Sequence, residues 1–195
     1  MTKGRLEAFS DGVLAIIITI MVLELKVPDG DRIEALRPLV PLLMSYLLSF
    51  LYIAIYWCNH HHLLQAAERV NSWILWANIH LLFWLSLIPF ATAWMGENHF
   101  APWTVAVYGG VLLAAGGAYN LLAQALISHH GPGSCTTRAI GGRRKGVLSL
   151  LIYATAIPLA FQLPGVACAA YLLVALLWVV PESRIERMLA DRGRP

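Results

Sequence analysis

Long apolar segments, each close to the length that crosses a lipid bilayer, constrain the fold of this chain more than any other feature. A helix that spans the hydrocarbon core needs about 20 apolar residues. Six such segments lie near residues 5–27, 39–64, 72–95, 102–128, 146–163 and 165–181. Proline, glycine or charged residues interrupt the sequence between them. We therefore predict an all-α integral membrane protein, with a single domain over residues 1–195 that contains six transmembrane helices.

The small number of charged side chains excludes the soluble alternatives. Hydrophobic residues make up 58% and charged residues 13% of the chain, whereas soluble domains average about 45–50% and about 25%. So few charges cannot cover a soluble domain of this size, which excludes a soluble enzyme, a nucleic-acid-binding protein and a disordered chain. The sequence has no nucleophile–base pair or metal-ligand spacing, and Cys58, Cys135 and Cys168 form no redox pattern. We expect no enzymatic activity, no cofactor and no metal site.

The distribution of basic residues predicts the orientation in the membrane. An even number of spans places both termini on one side. Of the 14 Lys and Arg residues, Lys26, Arg32 and Arg37 lie on the opposite side, and the other 11 lie on the side of the termini. Because cytoplasmic loops concentrate Lys and Arg, we predict a cell (inner or plasma) membrane protein with both termini in the cytoplasm.

The first span differs from the others in the position of its acidic residues. Only residues 12–23 separate Asp11 from Glu24, which is roughly 18 Å of helix. The hydrocarbon core is about 30 Å thick, so one or both carboxylates must lie where contact with lipid is costly. Ionisable side chains at such depths face protein or water. The first span is therefore the best candidate to line an aqueous path.

One stripe of this helix consists of apolar side chains and a single hydroxyl. Residues spaced by three and four along the helix share a face, and this face carries Gly12, Ile16, Thr19, Ile20, Leu23 and Val27. A lipid-facing or packed surface would have the same composition, but the flanking charges favour an aqueous path. Around a symmetry axis the stripe would form apolar constrictions, with a hydroxyl ring at Thr19, and apolar constrictions can gate a pore by dewetting.

The start of the first span resembles a known family signature. Residues Arg5-Leu6-Glu7-Ala8-Phe9-Ser10-Asp11 follow an Arg-x-x-x-Phe-Ser-Asp pattern. This pattern is similar to that of the transmembrane protein 175 family, which comprises potassium channels of animal endosomes and lysosomes and prokaryotic relatives. The stretches Tyr56-Trp57-Cys58-Asn59-His60-His61-His62 and Leu87-Ile88-Pro89-Phe90 also resemble the prokaryotic members.

The resemblance implies a homotetrameric cation channel that prefers potassium. Each subunit would contribute six helices, and the four first helices would line a central pore that K⁺ crosses passively. By the family pattern, the narrowest apolar constriction falls on Ile16, with further pore positions at Ile20 and Leu23 and the pore threonine at Thr19. Membrane lipid and potassium ions are then the expected partners, and no nucleic acid is expected.

The signature residues are expected to hold helices together rather than to contact ions. Arg5 and Asp11 are six positions apart, or about 600° around the helix, and cannot pair locally. The resemblance implies a network in which a second-span histidine joins the arginine of the motif. The expected members are Arg5, Phe9, Ser10, Asp11, Trp57 and either His60 or His61; the residues alone do not decide between the two histidines.

Two other functions fit parts of the sequence. A small secondary transporter, coupled to an ion or proton, could use Asp11 or Glu24 as its coupling site, although inverted repeats and interrupted helices are not evident. A haem-binding electron carrier would need one histidine from each of two facing helices, and His61 with His80 would serve. Coupled, saturable flux would identify the transporter, and a Soret band the haem protein.

Overall fold

The computed structural model describes residues 2–67, 69–130 and 143–179, and every regular element in these ranges is helical. The elements are α1 (Lys3–Leu23), a 3-10 helix (Ile33–Leu39), α2 (Val40–Ala66), α3 (Ser72–Ser86), α4 (Ile88–Glu97), α5 (Pro102–His130), α6 (Arg143–Leu159) and α7 (Pro164–Val179). The predicted all-α class is confirmed. The predicted helix ends beyond residue 179 lie outside the described residues.

In the described part of the chain, four helical segments are long and apolar enough to cross a membrane. They are Lys3–Leu23, Ile33–Ala66, Ser72–Glu97 and Pro102–His129. The last two helices contain 17 and 16 residues in the described part of the chain, which is roughly 25 Å of helix each. That length is shorter than the hydrocarbon core. A complete set of six spans therefore stays a prediction.

The third span differs from the continuous helix expected over residues 72–95. It consists of α3 and α4, which are separated at Leu87. Pro89 lies in the first turn of α4; it has no backbone N–H to donate, and its ring crowds the carbonyl four residues earlier, so the α3 pattern cannot continue through it. The two helices together still form a 26-residue apolar segment.

Helix α5 lies at the centre of the subunit and α1 lies at its edge. α5 packs against α3, α4, α6 and α7, whereas α1 packs mainly on α2, α3 and α4. Gly109 on α5 permits one close approach, because a Cβ atom there would overlap the hydroxyl of Tyr171 on α7. Small residues allow membrane helices to approach in this way.

Buried hydroxyls in the core of the bundle pair with one another. The Thr92 hydroxyl of α4 donates to Ser49 Oγ of α2 at 2.6 Å, and Ser49 Oγ lies 2.9 Å from the Tyr108 hydroxyl of α5. The Tyr153 hydroxyl donates to that of Tyr52 at 3.0 Å. Buried polar groups need such partners, and here they link α2, α4, α5 and α6.

Candidate pore helix and its motif network

Helix α1 has one face packed against the subunit. Its buried side chains recur at intervals of three and four: Leu6, Ser10, Leu14, Ile17 and Met21. This spacing keeps them on one side of the helix, against the core shared with α2, α3 and α4. Much of the remaining helix surface is exposed in the described part of the chain, although Val13 and Ile18 are partly buried against the core.

The stripe proposed from the sequence lies on the uncovered surface. Ile16 is 58% exposed, Ile20 is 42% exposed and Leu23 is 79% exposed. Thr19 is also exposed, and its hydroxyl donates to the Ile16 carbonyl at 2.8 Å. Val27, the last member of the stripe, lies beyond the end of α1 at Leu23. In the described part of one subunit, these side chains therefore leave much of their surface without protein cover.

Ser10 of the signature belongs to a buried chain of hydrogen bonds that joins three helices. The Ser10 hydroxyl donates to the Leu6 carbonyl within α1 at 2.9 Å. The Asn78 amide of α3 donates to Ser10 Oγ at 3.0 Å, and Asn78 Oδ1 lies 2.7 Å from Nε2 of His60 on α2. All three side chains are almost fully buried.

The direction of the hydrogen bonds between Ser10, Asn78 and His60 determines which ring nitrogen of His60 carries a hydrogen. Ser10 donates its own proton to Leu6, so its oxygen accepts from the Asn78 NH₂ group. The Asn78 carbonyl oxygen therefore faces His60 and can only accept. His60 must carry its hydrogen on Nε2. This series of hydrogen bonds thus links α1, α2 and α3.

Asp11 takes part in a second cluster, which lies at the surface of the subunit. The indole Nε1–H of Trp57 donates to Asp11 Oδ1 at 3.0 Å. The Trp57 ring stacks on His61 with 5.9 Å between centroids, and the Gln65 amide donates to His61 Nε2 at 2.8 Å. Both histidines that the sequence left as candidates thus lie near the signature, with His60 linked to Ser10 through Asn78 and His61 beside the partner of Asp11.

Two signature residues do not join these clusters. The Arg5 guanidinium is exposed and makes no hydrogen bond or ion pair with the described residues. Phe9 is exposed as well, one helical turn from Gly12 on the uncovered side of α1. Within one subunit, neither His60 nor His61 bonds Arg5 in the described part of the chain.

The C-terminal end of α1 borders an open groove. Its volume is about 450 Å³, and its walls are formed by α1 and the α3–α4 region: Ile20, Glu24, Ser86, Pro89, Phe90, Ala93, Trp94 and Glu97. Lys26 Nζ lies 3.2 Å from Glu97 Oε1. The Glu24 carboxylate is exposed and has no partner among the described residues.

The residues that the sequence suggested for metal or haem binding have other contacts. In the described ranges, no group of three or more His, Cys, Asp or Glu side chains could hold a metal ion. His61 bonds Gln65, and His80 Nε2 accepts from Trp84 at 2.9 Å, in each case on the histidine's own helix.

Asn78 is a member of the buried chain that sequence reasoning missed. A single amide within the apolar segment 72–86 is a usable signal, because polar groups buried in membrane helices form hydrogen bonds between helices. Its partners could not be read from the sequence, since they depend on how α3 turns toward α1 and α2.

Comparisons with known proteins agree on one family. The family described as "Endosomal/lysosomal potassium channel TMEM175" matches residues 5–89. A potassium channel of Chryseobacterium sp. (strain P1-3) is 52% identical over 191 residues, which cover 98% of this chain and 100% of the relative. A potassium channel of Streptomyces collinus is 34% identical over 190 residues, which cover 90% of this chain and 91% of the relative.

A solved structure is also similar. It is the crystal structure of a lysosomal potassium-selective channel TMEM175 homologue from Chamaesiphon minutus, with a TM-score of 0.79 and 28% identity. The match covers 91% of this chain and 96% of that chain. The similarity therefore extends over most of both molecules.

Proposed function

Because the chain belongs to the TMEM175 family of membrane channels, we propose that it is a potassium-preferring cation channel. It would conduct passively through a pore at the centre of a homotetramer, lined by α1 from each subunit. Each subunit would cross the membrane six times, with both termini in the cytoplasm. The membrane would be the inner or plasma membrane of the cell. The whole chain would form one channel domain.

The observation that carries the proposal is the uncovered stripe on α1. Ile16, Ile20 and Leu23 are exposed on the side of the helix away from its packed face. Lipid could cover apolar side chains, but this helix also carries Asp11 on its exposed surface and ends beside the exposed Glu24. Carboxylates at bilayer depth need protein or water. An axis of assembly beside α1 supplies both.

The pore chemistry follows from the side chains of this stripe. Rings of Ile16, Ile20 and Leu23 would leave a narrow apolar passage that is costly to wet, and a permeating ion would have to lose part of its hydration there. K⁺ holds its water less strongly than Na⁺, so such a passage favours K⁺. Thr19 would place a ring of hydroxyl oxygens between the apolar layers. No cofactor is needed, and K⁺ is the expected ligand.

The signature residues would hold the pore helix in position. The buried hydrogen bonds through Ser10, Asn78 and His60 and the surface contact of Asp11 with Trp57 both anchor the N-terminal half of α1. We expect Arg5 and Phe9, which are exposed in one subunit, to find their partners in the assembled channel. His61 would support Trp57 through their stacked rings.

One feature suits a secondary transporter instead. The break between α3 and α4 is an interrupted membrane helix, which is typical of transporter binding sites. Ile88 and Ala91, which follow the break, are buried and apolar. An interrupted helix that binds an ion or substrate needs polar groups near the break, so the channel remains the better supported function.

A reversal-potential measurement tests the proposal. The purified protein is placed in planar bilayers with K⁺ on one side and Na⁺ on the other, and the current is recorded without any other gradient. A channel of the proposed kind gives a steady current whose reversal potential is displaced from zero in the direction set by K⁺ permeability. A saturable flux that requires a second, coupled ion would overturn the proposal in favour of a transporter.

A further inference from the structure

We infer that each subunit contains an internal water-binding site, where the C-terminal half of α2 faces α5 and α6. The ligand is one or two water molecules, held by the Tyr56 hydroxyl, the Asn120 amide oxygen and the Ser149 hydroxyl. No residue of α1 lines this site. The inference therefore goes beyond the proposed function and does not depend on it.

The site is a small cavity between four helices. Aromatic side chains of α2, α5, α6 and α7 form most of its wall: Tyr52, Tyr56, Tyr119, Tyr153 and Trp178. Its free volume is about 30 Å³. A water molecule needs roughly 10–15 Å³ of such volume, whereas a cavity that binds benzene measures about 150 Å³. No charged side chain lines the cavity, so the ligand that fits is small and uncharged.

The cavity lies where α2 and α5 are joined by side chains rather than by close backbone packing. In the described part of the chain, α5 packs closely on α3, α4, α6 and α7. The Tyr56 ring of α2 reaches across to α5 and meets the Tyr119 ring edge-on, with 6.2 Å between centroids. A Cβ atom added at Gly116 of α5 would lie 3.8 Å from the Tyr56 hydroxyl. The glycine has no side chain to fill the space in front of that hydroxyl.

The Tyr56 hydroxyl is the polar group that most needs a ligand. Tyr56 is only 9% exposed, and its hydroxyl makes no hydrogen bond with the described residues. The other buried tyrosines, Tyr52, Tyr108, Tyr153 and Tyr171, all have hydrogen-bonded hydroxyls. Buried polar groups need partners, and a hydroxyl both donates and accepts. Water supplies both kinds of bond.

Two further side chains can bind the same water. The Asn120 amide donates to the Gly116 carbonyl at 2.8 Å, which leaves its oxygen as an acceptor. This oxygen lies against Gly146 of α6, where an added Cβ atom would overlap it, and both glycines line the cavity. The Ser149 oxygen accepts from Trp178 Nε1 at 2.8 Å and has a second lone pair. Buried waters typically make about three hydrogen bonds, which these groups provide.

The water would connect α2 to the centre of the subunit. His60 lies one helical turn after Tyr56 on α2 and bonds Asn78, which in turn bonds Ser10 of α1. α5 is the helix that most of the others pack against. A water between Tyr56 and Asn120 therefore supports the part of α2 to which α1 is bonded.

X-ray radiolysis of the purified protein tests for the water directly. Radiolysis of a bound water produces a hydroxyl radical that modifies the ring beside it, and mass spectrometry measures the modification. The control is Tyr108, which is fully buried, bonds Ser49 and does not line the cavity. We expect Tyr56 to be modified several-fold faster than Tyr108. Gly116→Ser, whose hydroxyl would replace the water, should lower the Tyr56 rate to that of Tyr108. Equal rates in the parent protein, or an unchanged Tyr56 rate in Gly116→Ser, would overturn the inference.

The sign of a stability change gives a second test. If water binds Tyr56, then Tyr56→Phe removes its hydrogen bonds and should raise the unfolding equilibrium constant about fivefold. Without water, the same substitution removes an unpartnered buried hydroxyl and should stabilise the subunit. Tyr46→Phe is the control, since Tyr46 is a partly exposed residue of α2 that does not line the cavity, and it should change nothing. An unchanged or more stable Tyr56→Phe subunit would overturn the inference and leave the proposed function in place.

Discussion

Helices α1 and α5 are both long and apolar, but the subunit covers them to different extents. In the most apolar 18-residue window, 28% of α1 is buried against 50% of α5. α5 is surrounded by α3, α4, α6 and α7, whereas α1 has neighbours on one side. Hydropathy does not predict this difference, because both helices are apolar enough to cross a membrane and the less buried α1 has the higher value. A span of ordinary composition can therefore leave much of its surface without a packing partner in the described part of its own subunit.

Small residues serve opposite purposes in the two helices. Gly109 of α5 lies against Tyr171 of the same subunit, whereas Gly12 of α1 faces open space. The first glycine permits a close contact within the subunit, and the second makes no such contact among the described residues. Single substitutions can separate these two roles.

The largest expected effect on stability follows from Gly109→Ala. The added methyl group would overlap the Tyr171 hydroxyl, which donates to the Val105 carbonyl at 3.2 Å, and overpacking of this kind costs about 1–3 kcal/mol, to which the lost hydrogen bond adds. Gly12→Ala meets no atom and should leave subunit stability unchanged or raise it by up to about 1 kcal/mol through helix propensity. SDS titration in detergent measures the free energy of unfolding of both variants. An equal loss in the two would contradict the different roles of Gly109 and Gly12.

The next effect concerns the buried bonds that fix α1 to the subunit. Asn78→Ala removes the acceptor of His60 Nε2–H and leaves this donor buried without a partner. The expected cost is about 1–3 kcal/mol of unfolding free energy. The control is Asn59→Ala, since among the described residues the Asn59 side-chain amide bonds the Ile55 carbonyl of its own helix and no other helix. If Asn59→Ala lowered the free energy of unfolding as much as Asn78→Ala, the hydrogen bonds between Ser10, Asn78 and His60 would not be what anchors α1.

A smaller effect is expected at the exposed cluster. Trp57→Phe removes the hydrogen bond to Asp11 Oδ1 but keeps an aromatic ring beside His61. We expect a loss of about 0.5–1.5 kcal/mol, below that of Asn78→Ala. Trp76→Phe, at an exposed tryptophan of α3, serves as the control and should change nothing in the same unfolding assay. If Trp57→Phe lowered the free energy of unfolding more than Asn78→Ala, the exposed cluster and not the buried hydrogen bonds would contribute more to stability.

The sequence was most informative about long apolar segments and least informative about contacts between helices. Segment length placed α1, α2 and α5 within a few residues of their observed ends, because hydropathy over about 20 residues reports membrane burial directly. The break at Leu87 was missed because the run from residue 72 to 95 is apolar throughout, although Pro89 is a recognisable local signal.

For the candidate site too, the sequence predicted which residues share a helix face but not which helices they contact. The stripe through Ile16 and Leu23 follows from helical spacing and flanking charge, and these side chains do lie on one uncovered surface. The link from Ser10 through Asn78 to His60 spans three helices. No local pattern specifies which amide meets which imidazole, since that depends on the rotation of each helix in the bundle.

The central claim is that the uncovered stripe of α1 lines the ion path, and Ile16→Asn tests it most directly. Leu151→Asn is the matched control, because Leu151 of α6 is similarly exposed, at 59% against 58% for Ile16. Reversal potentials in asymmetric K⁺ and Na⁺ are compared for the two variants and the parent channel. We predict that Ile16→Asn wets the constriction, raises the current and moves the reversal potential toward zero, while Leu151→Asn leaves both unchanged. Parent-like current and selectivity in Ile16→Asn would contradict the account.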